Sequence, residues 1–197
     1  MRNLAANFRD RLDIEVLSGG MIAPTTPTPI SSMAGYIQTA YKTVEERTGI
    51  VFGEDFLWHI FNPDKSDWYP DSLKPAIAMC IFKEIYPDEQ VMFASDLQYA
   101  LNHEGRDLTD NEAYRHLLDK YAIDHDNFFE KLSSPGYAEP ARYEFALIKQ
   151  LGVSGFPTVF IQASTSKFYL AVRGYTDFET ANRQIESILQ EIEKVNV

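Results

Sequence analysis

The feature that most constrains this sequence is a proline placed directly before an apolar, β-branched run, within residues 152–161. Pro157 has no N–H, so it fits only the first residue of a strand or the edge of a sheet. Phe156, which precedes it, is restricted to extended conformations. The cis isomer of such a bond costs only about 0.5–1 kcal/mol more than the trans isomer, so this position can accommodate a cis bond. The stretch therefore predicts a tight turn that leads into a strand.

This turn has two interpretations that the residues alone leave open. The structural one is that Gly-x-Pro loops commonly lead into core strands. The functional one is that backbone groups left unpaired beside the proline can bind an extended ligand as an added strand. The candidate substrate-binding residues are Ser154, Gly155, Phe156 and Pro157.

Composition excludes several classes of protein. The 197 residues are 45% hydrophobic and 13% aromatic, as in an ordinary globular protein with one core, or one domain carrying an insertion. The net charge of −11 repels phosphate backbones and anionic lipids, so we expect no nucleic-acid and no membrane binding. No apolar run approaches 18 residues, and the first ten lack a signal-peptide pattern.

A single cysteine, Cys80, excludes an intrachain disulfide, a zinc cluster and a CxxC pair in this chain. A reducing, cytoplasmic location fits this usage. Cys80 lies in an apolar helical stretch, which predicts a buried and inert thiol. The four histidines show no ligand spacing, so we expect no metal.

Hydrophobic periodicity predicts strands only near the two ends of the chain, with a long helical middle. We expect a helix over residues 2–10, a strand over Leu12–Leu17 and a proline-containing crossover at 24–29. Helices then occupy residues 31–151. Two strands, 158–161 and 168–172, are joined by a loose loop at 162–167 and followed by a last amphipathic helix.

Helix ends carry their own signals. Asp124 and Asp177 are predicted N-caps, and Gly152 is a predicted C-cap. Thr109 and Glu112 have the spacing of a capping box, in which Glu112 reaches back to the Thr109 amide.

The order of these elements resembles the thioredoxin layout: a strand with a crossover, then a hairpin opened by Gly-x-Pro-Thr and closed by a helix. Five stretches, in order over nearly all of the chain, resemble the DsbA-like thioredoxin family, particularly its FrnE-like and disulfide-isomerase branch. They are residues 17–21, 49–57, 104–109, 152–158 and 173–175. The resemblance implies an α/β, DsbA-type sheet with a large all-helical insertion. It implies one domain over residues 1–197, with a thioredoxin core at 1–28 and 150–197 and a helical insertion at 29–149.

The resemblance implies a thiol–disulfide oxidoreductase or isomerase that acts on protein or peptide thiols and disulfides without a cofactor. Its CxxC would begin the first thioredoxin helix, where the helix dipole stabilises a thiolate. Pro157 matches the family's cis-proline, and Phe156 matches the residue before it. The CxxC and the central strand that precedes it are absent from this sequence. We therefore expect either that Met1 is not the natural start or that redox chemistry has been abandoned. As written, the chain cannot perform dithiol exchange.

Two alternatives stay open at this point. A non-redox thioredoxin fold can serve as a binding or adaptor protein, with the proline loop as its peptide dock. The fold also resembles the kappa-like branch of glutathione-dependent transferases and isomerases, in which a serine replaces the thiol pair and glutathione pairs with the loop. A homodimer, the substrate and the redox direction also remain open.

Overall fold

The computed structural model describes residues 1–195. In that range it contains nine α-helices, two 3₁₀ helices and a two-stranded sheet. The α-helices are α1 (Arg2–Phe8), α2 (Ser31–Thr48), α3 (Glu54–Phe61), α4 (Leu73–Ile85), α5 (Gln90–Asn102), α6 (Arg115–Lys120), α7 (His125–Ser133), α8 (Pro135–Gln150) and α9 (Phe178–Val195). The 3₁₀ helices are Pro87–Glu89 and Asn111–Tyr114, and the strands are β1 (Thr158–Ser164) and β2 (Lys167–Arg173).

The chain divides into two compact units. The sheet unit comprises residues 1–15 and 146–197, and the helical unit comprises residues 16–145. The α/β class with a large helical insertion, predicted from the sequence, is confirmed. No helix among the described residues is long and apolar enough to cross a bilayer.

In the sheet unit, β1 and β2 pair in antiparallel fashion, from Thr158 opposite Arg173 to Ser164 opposite Lys167. Their connection is a two-residue turn at 165–166, shorter than the loop predicted at 162–167. One face of the sheet packs against α1 and α9, and the buried side chains of this core are Leu4, Phe8, Ile161, Ala171, Val172, Ala181 and Ile185. The turn that follows α1 is also joined to α9 by Arg11, which donates to both carboxylate oxygens of Glu186 at 2.6 and 3.1 Å.

The strand predicted over Leu12–Leu17 is wrong, because this segment is irregular. Alternating apolar and polar residues give a segment the two faces of a strand. A strand also needs a second strand to pair with, and the alternation does not supply one. The described sheet consists of β1 and β2, which pair with each other. The backbone of the segment instead bonds to side chains: the Val16 amide donates to Gln90 Oε1 at 2.6 Å, and its carbonyl accepts from Lys83 Nζ at 3.0 Å.

A buried ion pair anchors the same segment within the helical unit. Glu144 is only 6% exposed and accepts hydrogen bonds from Lys83 Nζ and, at 2.7 Å, from the Ser18 amide. Because Lys83 also binds the Val16 carbonyl, the pair fastens residues 16–18 to α4 and α8. The Cys80 thiol lies 3.7 Å from Glu144 Oε1.

Helix α4 is the centre of the helical unit, with seven consecutive buried residues, Ala76–Phe82. The Phe82 and Phe93 rings stack at 4.0 Å, and Tyr121 meets both rings edge-on. A smaller core lies beside α3, where His59 stacks on Trp68 at 4.0 Å.

Two of the predicted caps are confirmed, and the capping box is wrong. Asp124 Oδ1 accepts from the Asn127 amide at 2.7 Å, and Asp177 accepts from the Thr180 amide at 2.9 Å. In place of the capping box, Asp110 caps the Asn111–Tyr114 helix. The carboxylate of Glu112 binds Arg115 at 2.8 Å.

Two of the glycine-containing motif stretches meet in the helical unit. The Gly53 amide donates to the Asn102 carbonyl at 2.9 Å. Gly105 has a φ of +67°, and a Cβ built on it would lie 2.5 Å from the Asp55 Cβ. These glycines are therefore required by the close approach of the α2–α3 and α5–α6 connections.

We expect Gly105→Ala to be much more destabilising than Gly49→Ala in urea unfolding. Gly49 has a similar φ of +71° but open space around it, so its substitution costs only the left-handed backbone penalty of about 1–2 kcal/mol. Gly105→Ala adds overpacking against Asp55, for a total above about 3 kcal/mol. Equal losses of unfolding free energy for the two variants would contradict the close approach of Gly105 to Asp55.

We expect Lys83→Met to lower the free energy of unfolding by about 3–5 kcal/mol, since it leaves the buried Glu144 charge without its cation. The control Glu112→Gln breaks an exposed ion pair and should cost at most about 1 kcal/mol. The double variant Lys83→Met with Glu144→Leu should recover part of the loss. Similar losses for Lys83→Met and Glu112→Gln would show that Glu144 does not depend on Lys83 for its neutralisation.

Candidate functional site

The candidate loop begins where α8 ends in the sheet unit. Gly152 has a φ of +70° and donates to the Lys149 carbonyl at 3.1 Å, while the Val153 amide donates to the Ile148 carbonyl at 3.2 Å. A left-handed glycine with these two bonds stops a helix, as predicted for Gly152. The chain therefore leaves α8 abruptly and reaches β1 within a few residues.

Pro157 directly precedes the first residue of β1, and the Phe156–Pro157 peptide bond is cis. The Pro157 carbonyl accepts from the Gly174 amide at 2.7 Å, which fixes the loop to the end of β2. The Thr158 hydroxyl donates to the Gly155 carbonyl at 2.7 Å and closes the turn.

The four predicted binding residues lie together in this one loop. Ser154 and Pro157 are exposed, Gly155 is partly buried, and Phe156 is 40% exposed. Within the described part of the sheet unit, neither the amide nor the carbonyl of Phe156 forms a hydrogen bond. The loop can therefore offer one backbone donor, one backbone acceptor and an aromatic surface to an extended chain.

Two residues next to the loop belong to this site although the sequence did not indicate a binding role for them. Gly174 fixes the Pro157 carbonyl, and Tyr175, which follows it, is 52% exposed. They are 17 and 18 positions after Pro157 in the sequence, so only the pairing of β1 with β2 brings them beside the loop. The sequence signal that could have identified these two residues was the family resemblance, because residues 173–175 are one of the stretches that carry it.

The chain's one thiol is poorly suited to chemistry. Cys80 is 8% exposed in the core of the helical unit. Burial, followed by the nearby Glu144 carboxylate, raises the pKa of the Cys80 thiol to about 11. Among residues 1–195, no group of three or more His, Cys, Asp or Glu side chains is arranged to hold a metal ion.

A family model described as "DSBA-like thioredoxin domain" matches residues 61–186 of this chain. This range includes most of the helical unit, the candidate loop, both strands and half of α9. The comparison with curated proteins found no match.

Solved structures of similar fold cover nearly the whole chain. A crystal structure of a "putative protein disulfide isomerase" from Nitrosomonas europaea has a TM-score of 0.82 and 19% identity, over 96% of this chain and 88% of that one. The cytosolic disulfide reductase DsbM from Pseudomonas aeruginosa has a TM-score of 0.70 and 22% identity, over 95% and 89%. The same reductase with GSH has a TM-score of 0.67 and 22% identity, over 95% and 90%. At these identities the likeness establishes the fold.

We expect Cys80 to be almost unreactive toward iodoacetamide at pH 8 in the folded protein. With its pKa raised from 9.0 to about 11, the thiolate fraction at pH 8 falls by about a hundredfold, and burial blocks access as well. Mass spectrometry after timed alkylation, with and without urea, measures this difference. Similar labelling rates in both states would contradict an inert, buried thiol.

Proposed function

Because this chain belongs to the family of DSBA-like thioredoxin domains, we propose that it binds extended protein or peptide segments that contain thiols or disulfides. The Ser154–Pro157 loop is the docking point in this proposal. By itself the chain contributes substrate binding and is redox-inactive.

The backbone of Phe156, whose amide and carbonyl form no hydrogen bond within the described part of the sheet unit, is the observation that carries the proposal. An extended segment can donate to its carbonyl and accept from its amide, as in the addition of a strand, while the side chain of this exposed residue packs against an apolar group of the segment. The loop is held on both sides, by Gly152 at the end of α8 and by Gly174 at the end of β2, so little further ordering is needed on binding.

The cysteine content supports binding without exchange. Exchange begins with attack by a thiolate, and the second thiol of a CxxC pair then resolves the mixed disulfide. The sequence has one cysteine, and its thiol is buried with a raised pKa. The chain therefore lacks both the accessible thiolate and its partner.

A cytoplasmic location and protein thiol partners complete the proposal. DsbM is a cytosolic disulfide reductase, and a single cysteine suits a reducing compartment. A homodimer is compatible with the proposal, and light scattering would detect it as twice the 22.5 kDa chain mass.

We expect Phe156→Ala to weaken binding of an extended peptide with one S-methylated cysteine by about tenfold, which corresponds to loss of one contact worth about 1.4 kcal/mol. The matched control is Phe168→Ala, which removes an equally exposed phenylalanine, at 39%, from β2 of the same unit. Fluorescence polarisation with a labelled peptide measures both affinities. The loop assignment fails if the two variants behave alike or if the unmodified chain does not bind.

Redox inactivity is tested separately by insulin reduction with dithiothreitol. The chain should give the same rate of precipitation as dithiothreitol alone. Acceleration that is lost in Cys80→Ala would show that the one thiol is catalytic and would overturn this part of the proposal.

Glutathione is a second candidate ligand for the same loop. The observation in its favour is that one structural neighbour, DsbM, was solved with GSH. Backbone groups such as those of Phe156 suit a small peptide as well as a long one. Calorimetric titration with glutathione tests this candidate, and absence of heat at millimolar concentration would remove it.

A further inference from the structure

We propose that Arg173 makes the Ser154–Pro157 loop selective for extended segments that carry an aspartate or glutamate next to the docked residue. The Arg173 guanidinium binds the carboxylate of that neighbouring side chain. This inference rests on the docking function proposed above and adds to it the charge of the segment that is bound.

The charge of the chain is divided unevenly between its two units. The sheet unit contains eight acidic and eight basic side chains, so the whole net charge of −11 comes from the helical unit. Within the sheet unit, the continuous stretch 146–176 contains no aspartate or glutamate, and its charged side chains are Lys149, Lys167 and Arg173. This stretch includes the end of α8, the candidate loop and both strands. The loop therefore belongs to a positively charged part of an acidic chain.

Strand pairing places Arg173 beside the loop. Arg173 is the partner of Thr158 in the register of β1 and β2, and paired residues have Cβ atoms about 4.5–5.5 Å apart on the same face of a sheet. The Thr158 hydroxyl donates to the Gly155 carbonyl at 2.7 Å. The next residue after Arg173, Gly174, donates its amide to the Pro157 carbonyl at 2.7 Å. Arg173 is thus joined to the loop through both its strand partner and its chain neighbour.

The acidic residues nearest to Arg173 in sequence belong to the opposite side of the sheet. Val172 is buried in the core that the sheet forms with α1 and α9. Because successive residues of a strand point to opposite faces, the side chain of Arg173 points away from that core. Asp177 and Glu179 lie at the start of α9, where Asp177 accepts from the Thr180 amide at 2.9 Å. They therefore do not neutralise Arg173.

The guanidinium of Arg173 is available to a ligand. The residue is exposed, and its side chain forms no hydrogen bond, ion pair or ring contact with any residue in the range 1–195. Arg11 of the same unit shows the alternative, since it binds both carboxylate oxygens of Glu186. Lys149 lies in the last turn of α8, where its charge offsets the negative end of the helix dipole. Arg173 is therefore the cation beside the loop that has no task within the fold.

A carboxylate is the group that Arg173 matches best. The guanidinium is planar and presents five N–H donors in a fixed fork, which fits the two oxygens of a carboxylate. Such charge-assisted bonds are about twice as strong as neutral ones. In an extended segment, residues one or two positions from the docked one lie within about 7 Å of it along the chain, which is close enough for a long arginine side chain.

The test compares two labelled peptides that differ only in charge. Each has one S-methylated cysteine, flanked on both sides by glutamate in one peptide and by glutamine in the other. We expect the glutamate peptide to bind about threefold tighter in fluorescence polarisation at low salt, the factor for one exposed ion pair. Salt at about 1 M, where the screening length is about 3 Å, should abolish the difference.

Substitutions in β2 assign the preference to one side chain. Arg173→Gln should remove it, and Arg173→Lys, which keeps the charge without the fork, should retain part of it. The matched control is Lys167→Gln, which removes a positive charge from the other end of β2. Six residues at about 3.3 Å each separate the two positions by roughly 20 Å, so this variant should keep the full preference.

The outcomes separate this inference from the docking function. A preference that survives Arg173→Gln would overturn the inference, and so would tighter binding of the glutamine peptide. If both peptides bind equally and Phe156→Ala weakens both, the loop docks peptides without regard to charge, and only the role of Arg173 fails. If neither peptide binds, the docking function fails and this inference fails with it. The comparison of the two peptides on the unmodified chain needs no substitution.

Discussion

The helical unit depends on how the charge of Glu144 is neutralised in its core. A buried carboxylate is costly unless it is paired and hydrogen-bonded, and Lys83 together with the Ser18 amide supplies both. The same contacts satisfy backbone groups that have no strand neighbour in the described sheet, because the Val16 carbonyl binds Lys83. One ion pair therefore meets two requirements, the neutralisation of a core charge and the pairing of an irregular segment's backbone.

The candidate loop has a different origin, because local rules produce it. Gly152 ends α8 in the left-handed region, and Pro157 can occupy only the start of β1. Between them the backbone has little room to form internal bonds, and the amide and carbonyl of Phe156 form none within the described part of the sheet unit. The proposed docking loop thus follows from a few consecutive residues, whereas exchange chemistry would need an accessible thiol that Cys80 does not provide.

Whether a feature could be predicted from the sequence depends on whether its contacts are local or distant along the chain. The helices, the caps at Asp124 and Asp177 and the grouping of Ser154–Pro157 were predictable, since each depends on neighbours in sequence. The strand at Leu12–Leu17 was wrong because pairing depends on a second segment, and the capping box was wrong because Arg115 takes the carboxylate of Glu112. The Lys83–Glu144 pair joins residues 61 positions apart, and no local sequence pattern predicts it.

The division into units also sets an order for folding during synthesis. The helical unit is one continuous stretch, so its core can form as soon as residues 16–145 have left the ribosome. The sheet unit combines residues 1–15 with residues 146–197, and Arg11 meets Glu186 across 175 positions. Helix α1 must therefore wait, with Leu4 and Phe8 uncovered, until α9 is made. During that interval the nascent chain exposes apolar side chains that the finished protein buries.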